Sequence, residues 1–262
     1  MNHACLIGGG GFIGAYVAAA LVAQDRRVTI LDTRPAPAYL PKAVRYVVGD
    51  YGRKETLRKV LLGTEAVINL SYATVPSTSF EDPIRDILSN LPAAVGLFEA
   101  ACDYAIQKLV VISSGGTVYG PAHGLPLTED HATDPISPYG VTKLAIEKYA
   151  YMFYRLKELP VVTVRPANAF GEYQNPFVGQ GFVAAAIAAI LNRKAITLYG
   201  ENGTIRDYIH VEDVASGIVA ALDHGSPGAT YNIGSGEGRN NRAIIDALRP
   251  YAQSLSIPVQ VK

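Results

Sequence analysis

The chain has 262 residues, 49% of them hydrophobic and 18% charged; it is long enough to bury a core and too sparsely charged to be disordered. Its 23 basic residues balance 23 acidic ones, which argues against bulk attraction to nucleic acid or acidic membranes. Only Cys5 and Cys102 are present, so a disulfide framework is not expected and a reducing cytoplasm fits.

From Met1 the chain runs straight into an apolar segment, with no basic stretch and no cleavage site, so no leader is expected. Runs at Ala4–Ile7, Val28–Leu31, Arg45–Val48, Ala66–Leu70, Leu109–Ile112 and Val161–Val164 predict strands. They read as continuous apolar runs, as parallel strands covered on both faces do. Helices are predicted between them at Phe12–Ala23, Arg53–Leu62, Pro83–Tyr104 and Pro138–Leu156. This alternation predicts an α/β fold with a doubly wound parallel sheet. After Arg165 the rhythm loosens. Pro166–Gln180 reads as loop, then come a helix at Phe182–Leu191, a strand at Ala195–Tyr199 and a glycine turn at Gly200–Gly203. A helix at Val211–Leu222, a strand at Thr230–Ile233 and a helix at Asn240–Leu248 follow. The longest apolar run, Phe182–Leu191, has ten residues, against about 20 for a membrane helix. Residues 1–165 are expected to form a nucleotide domain, and 166–262 a smaller lobe interleaved with it.

The first strand enters Gly8-Gly9-Gly10-Gly11-Phe12-Ile13-Gly14 and then a helix. Two glycine registers fit, Gly8/Gly11/Gly14 and Gly9/Gly11/Gly14; both bring bare backbone against a pyrophosphate at a helix N-terminus, in the manner of a Rossmann fold. Asp32 ends the next strand, 18 residues after Gly14. Its carboxylate suits a ribose hydroxyl and repels a 2′-phosphate, so NAD is the expected cofactor. Arg34 pulls the other way, because an arginine there can accept the phosphate of NADP.

Tyr139 and Lys143 form a second constellation. With Pro138 in the first helical turn, they share a helix face at i and i+4. An ammonium beside a phenol favours the phenolate, so Tyr139 is expected to have a lowered pKa and to act as general base. Before it lies the strand end Ser113-Ser114-Gly115-Gly116-Thr117-Val118-Tyr119-Gly120, where ligands bind in open α/β sheets. Its hydroxyls can orient a substrate alcohol. No metal site is expected: His210-Val211-Glu212-Asp213 reads as a helix start, and His3, His123, His131 and His224 are scattered.

From about residue 3 to 247 the chain resembles the extended short-chain dehydrogenase/reductase family, and within it the NAD-dependent nucleotide-sugar epimerases and dehydratases. The matching pieces are the glycine turn, Gly49-Asp50, Asp82-Pro83, Asn90, Ser113–Gly120 and Tyr139-x-x-x-Lys143. Arg165-Pro166-Ala167-Asn168, Arg206–Asp213 and Tyr231-Asn232-Ile233-Gly234 complete the series. The resemblance implies that Gly8, Gly11, Phe12, Ile13, Gly14, Asp32, Asp50, Tyr51 and Leu70 hold NAD, with Asp50 and Tyr51 at the adenine. It implies Tyr139 as base and Lys143 on the nicotinamide ribose. It also implies a UDP-sugar substrate, with Ser114 at the sugar, Asn168 and Arg206 at the pyrophosphate and Tyr199 stacked on the uracil. An ion pair with Asp207 is the alternative for Arg206.

Three departures stand out. The usual catalytic Ser or Thr is Gly115 here, so Ser114, or less favoured Thr117, must substitute, or the alcohol is oriented differently. A frequent His at the end of the fourth strand is Asn69. Family members run some tens of residues longer, with an Arg and an acidic residue of the sugar-nucleotide site in that tail, so a fragment is expected. The implied activity is a nucleotide-sugar 4-epimerase. A dehydratase or decarboxylase needs carboxyl groups where Gly116 and Thr117 stand. A reductase of the same family, or a non-catalytic NAD-binding sensor or scaffold, are the other readings. Family members pair through the two long helices, so a homodimer is expected, with Tyr149, Met152, Phe153 and Leu156 as its stripe.

Overall fold

The computed structural model describes residues 1–121 and 124–262, so His123 lies outside the described residues. The strands are β1 (His3–Ile7), β2 (Arg27–Asp32), β3 (Arg45–Val48), β4 (Ala66–Asn69), β5 (Lys108–Ile112), β6 (Val161–Pro166), β7 (Asn168–Phe170), β8 (Ile205–His210), β9 (Thr230–Ile233) and β10 (Gly238–Asn240). The helices are α1 (Phe12–Val22), α2 (Lys54–Leu61), α3 (Pro76–Glu81), α4 (Pro83–Asp103), α5 (Pro138–Lys157), α6 (Phe182–Leu191), α7 (Val211–His224) and α8 (Asn241–Ser254).

Seven strands form one sheet in the order β3-β2-β1-β4-β5-β6-β9, and every neighbouring pair is parallel. This is the doubly wound sheet predicted from the sequence. The side chains of each strand alternate between two cores. Leu6, Ile30, Ile68, Val110 and Val164 pack with Val17 and Leu21 of α1 and Ile218 and Leu222 of α7. On the other face Ile7, Leu31, Val67 and Val111 pack with Leu57 of α2, Phe98 of α4 and Ile146 and Phe153 of α5. Continuous apolar strands are thus explained: both faces are dry. The strand order reverses between β1 and β4, and the crevice there opens at the carboxyl ends of the strands.

Past Arg165 the expectations need correcting. The predicted strand Ala195–Tyr199 shrinks to one parallel bridge, Ile196 with Val261, because only the 260–262 segment lies beside it. The strand of that region is β8, whose Arg206 and Asp207 break any apolar pattern. It pairs with β7, inside the stretch expected to be loop, and with β10. The helix α3 had no counterpart in the sequence reading, and α8 runs past Leu248 to Ser254, through Pro250. β9 returns to the main sheet beside β6. Of the α5 stripe, Phe153 turns inward onto Phe98, with ring centroids 5.6 Å apart. Tyr149, Met152 and Leu156 stay exposed.

Candidate functional site

The Gly8 N–H bonds the Leu31 carbonyl at 2.7 Å, which closes the turn after β1 against β2. A Cβ on Gly14 would lie 2.6 Å from the backbone of Gly9, so only glycine lets α1 start this close to the turn. Gly11 caps α1 without a side-chain acceptor, and among the described residues the N–H groups of Phe12, Ile13 and Gly14 meet no backbone acceptor outside the helix. Orphan donors at a helix N-terminus make an anion site. Asp32 is buried at the end of β2. It accepts the Gly10 N–H at 3.2 Å and the Arg34 Nε–H at 3.3 Å. Arg34 is 68% exposed, so freeing this carboxylate for a ribose costs little.

Of the remaining cofactor candidates, Leu70 follows β4 and donates its N–H to Ile7. Asp50 accepts the Gly52 N–H at 2.8 Å in a tight local turn. Tyr51 packs against the α4 side of the sheet, and burial pushes its phenol up to about 12.

Ser137 caps α5 by accepting the Gly140 N–H, and Pro138 follows at the first turn. Tyr139 and Lys143 come out one turn apart, both buried. The Lys143 Nζ donates to the Ile112 carbonyl at the end of β5, 2.8 Å away. It lies 5.7 Å from the centre of the Tyr139 ring and 4.1 Å from that of Tyr72. The expected lowering of the Tyr139 pKa is not found. Burial raises it, and the Asp86 carboxylate adds to the rise. Burial lowers Lys143 to about 7, opposed by Glu147 and Asp86. Burial disfavours the charged form of both groups, so the phenolate and the ammonium are each penalised at this dry place.

Gly115 donates its N–H to the Pro166 carbonyl at 2.9 Å. A Cβ there would meet the Arg165 and Pro166 carbonyl oxygens at 3.0 and 3.1 Å, so the usual side chain would need β6 to give by a few tenths of an ångström. Ser114 is half-buried. The Thr117 Oγ1 is buried with no partner among the described residues, as is the Oγ of Ser113. Asn168 sits across from Gly116, at 3.7 Å from where a Cβ would be. Tyr199 is 83% exposed on the segment before Gly200. Arg206 is exposed and makes no pair with Asp207. That carboxylate instead accepts the backbone of Ser235 and Gly236. Directly across the β8–β10 ladder from Arg206 stands Arg239, whose guanidinium is paired with the Glu237 carboxylate at 2.6 Å. His210 caps α7 through the Glu212 N–H, in keeping with a helix start.

The sequence reading missed three groups. Glu147 holds Arg165 in a buried pair, at 2.6 and 3.0 Å. Tyr72 packs edge-on against Tyr139, with centroids 4.7 Å apart. Asp86 is fully buried next to both. The i+4 spacing from Lys143 could have flagged Glu147; no local signal marks the other two. Among the described residues no helix is long and apolar enough to cross a membrane.

A buried phenol and ammonium stand on α5, and a glycine turn that leaves helix N–H groups unpaired among the described residues opens α1, both on a doubly wound parallel sheet. Residues 4–234 match the NAD dependent epimerase/dehydratase family, and the chain belongs to that family, whose cofactor is NAD. It is 30% identical to a UDP-glucose 4-epimerase of Mycolicibacterium smegmatis, over 92% of this chain and 80% of that protein. The crystal structure of a Thermus thermophilus UDP-glucose 4-epimerase in complex with NAD superimposes with a TM-score of 0.91, at 30% identity over 99% of this chain and 85% of that one. DesIV of Streptomyces venezuelae, a dTDP-glucose 4,6-dehydratase with NAD bound, does so with a TM-score of 0.89, at 26% identity over 99% and 84%.

The residues present fit NAD: orphan N–H groups face the pyrophosphate position and a buried acid ends β2. NAD is expected to bind tighter than NADP, because Asp32 repels a 2′-phosphate. Equal or tighter NADP binding in a titration would show that Arg34 governs the site.

Proposed function

We propose that the chain is a UDP-sugar 4-epimerase in which Tyr139 is the general base. The observation that carries this reading is the buried Tyr139–Lys143 pair on α5, tied to the carboxyl end of β5. NAD, when bound, accepts the hydride from C4 of the sugar and returns it. In this reading Tyr139 must first lose its own proton against the rise that burial and Asp86 impose, which the charge of a bound nicotinamide cation would favour; its oxygen then takes the proton from the 4-hydroxyl as the hydride leaves, and gives it back once the 4-keto sugar has turned over. Lys143 holds the nicotinamide ribose. Residues 1–165 hold the cofactor, and Asn168, Arg206 and Tyr199 of the second lobe hold the UDP. The exposed Arg206, which pairs with no carboxylate among the described residues, supports a phosphate there, since a guanidinium matches its charge and geometry. Elimination, as in a dehydratase, lacks the carboxyl groups it needs beside the base, because Gly116 and Thr117 occupy those places.

Thr117 takes preference over Ser114 as the group that orients the sugar alcohol, because a buried, unpartnered hydroxyl gains most from a ligand. Incubation with a panel of UDP-sugars, resolved by chromatography, tests the activity; conversion of none would sink it. Thr117→Ala is expected to lower turnover roughly 5- to 150-fold, the scale of one to three kcal/mol for a hydrogen bond to a charged group. Ser114→Ala is expected to change it less.

The chain is further proposed to form a homodimer through α4 and α5. Ile84, Ile87 and Leu88 on α4, and Val141, Met152 and Leu156 on α5, are exposed large hydrophobics and need a cover of this kind. A dimer mass is expected in light scattering at micromolar concentration, and a monomer mass there would refute the pairing.

A further inference from the structure

Asp86 lies in the first turn of α4 and is 0% exposed. Among the described residues no Lys, Arg or His nitrogen pairs with it. A buried charge without a cation is costly, so its surroundings must answer for it. The N-terminal end of α4 favours an anion. The Tyr72 hydroxyl donates to the Asp86 carboxylate, 3.3 Å from each oxygen, and the Thr74 hydroxyl donates as well. Tyr72 then spans the gap to α5. Its hydroxyl reaches the Tyr139 carbonyl at 3.5 Å, its ring meets the Tyr139 ring edge-on, and its face receives the Lys143 ammonium. Tyr72 thus packs against both Tyr139 and Lys143, and its hydroxyl is held by Asp86.

We propose that Asp86 is a positioning residue for proton transfer at Tyr139: through the Tyr72 hydroxyl it fixes the aromatic wall against which Tyr139 and Lys143 pack. The proposal rests on the reading of Tyr139 as general base. The charged and titratable groups around it are Tyr72 from the loop after β4, Tyr139 and Lys143 from α5, and Glu147, which acts on Lys143 from one turn further along α5. The segment 76–81 adds only the Ser79 hydroxyl, which accepts the Tyr139 N–H. The Asp86 carboxylate raises the Tyr139 phenol in the same sense as burial, and it favours the charged form of Lys143.

The test uses the whole chain loaded with NAD. The ionisation of Tyr139 is read by ultraviolet difference absorbance against Tyr139→Phe, and by the acid limb of the turnover profile with a UDP-sugar that the native chain converts. Asp86→Asn keeps the shape and removes the charge. Its Tyr139 ionisation and acid limb are expected about one pH unit below the native ones, a tenfold loss of proton affinity. Tyr72→Phe keeps the charge and cuts the link. It is expected to hold the native acid limb while kcat falls roughly 3- to 10-fold, on the scale of one hydrogen bond, with KM little changed. A folded Asp86→Asn with native ionisation would overturn the proposal, as would a Tyr72→Phe variant with native kcat. If Asp86→Asn does not fold, Tyr72→Phe decides alone. Full turnover in Tyr139→Phe is a separate result: it removes the base reading itself, whatever the Asp86 variants do.

Discussion

Replacing Tyr139 by Phe is expected to lower turnover about 10²–10⁴-fold, the usual worth of a general base. The substitution deletes one oxygen and little else. The ring is 8% exposed and packs on Tyr72, contacts that Phe keeps. The Lys143 Nζ is anchored to the Ile112 carbonyl, not to the phenol oxygen, so NAD affinity should change much less than turnover. The contrast between the two readouts separates loss of chemistry from loss of fold. Near-native turnover in the Phe variant would take Tyr139 out of the mechanism, and an equal loss of NAD binding would recast it as a structural residue.

Glu147→Ala is expected to cost about 3–5 kcal/mol of stability, as breaking a buried pair does by stranding the other charge. Both side chains of the Arg165–Glu147 pair are 6% exposed, with 2.6 Å between Arg165 Nη2 and Glu147 Oε2. Arg165 would keep only its bond to the Tyr119 hydroxyl, at 2.8 Å. Against a total of about 5–15 kcal/mol for a typical domain, that loss should move the denaturation midpoint far down. A double replacement, Glu147→Leu with Arg165→Met, should recover most of it, since well-packed apolar residues can replace a buried ion pair at little cost. A drop below about 1 kcal/mol for the single variant would mean that water or another acid reaches Arg165. The pair also bears on the site, because it ties α5 to β6 one turn beyond Lys143.

Five of the first six strands were legible because they are buried on both faces, which leaves a run of apolar residues and no ambiguity of period; β3, the half-exposed edge strand, was found from its short Tyr-Val-Val run. The glycine turn and Asp32 were legible because phosphate binding needs bare backbone at fixed offsets. β8 was not. It lies in a small three-stranded sheet, carries Arg206 and Asp207, and pairs with partners more than thirty residues away on each side. The apolar Ala195–Tyr199 looked more like a strand, yet its side chains serve a small core with α6 and α8. The Tyr139–Lys143 pair was found by spacing, but the direction of its electrostatics was misread. Spacing reports who stands next to whom; it does not report how dry the place is. Asp86 and Tyr72 are fourteen residues apart and meet only once α4 has packed beside α5. Nothing in either local sequence announces that contact.

The placing of β9 beside β6 has a consequence for how the chain is made. When β6 has left the ribosome, β5 is already there but β9, its other partner, has not yet been synthesised, and residues 167–229 must come first. Until then Val161, Val162 and Val164, all buried in the finished molecule, border an unpaired ladder. An open apolar edge of this kind invites pairing with another chain, and pairings between distant segments are slow to form. The sheet is therefore completed late, and the newborn chain passes through an interval in which strangers can reach that edge before its own β9 does.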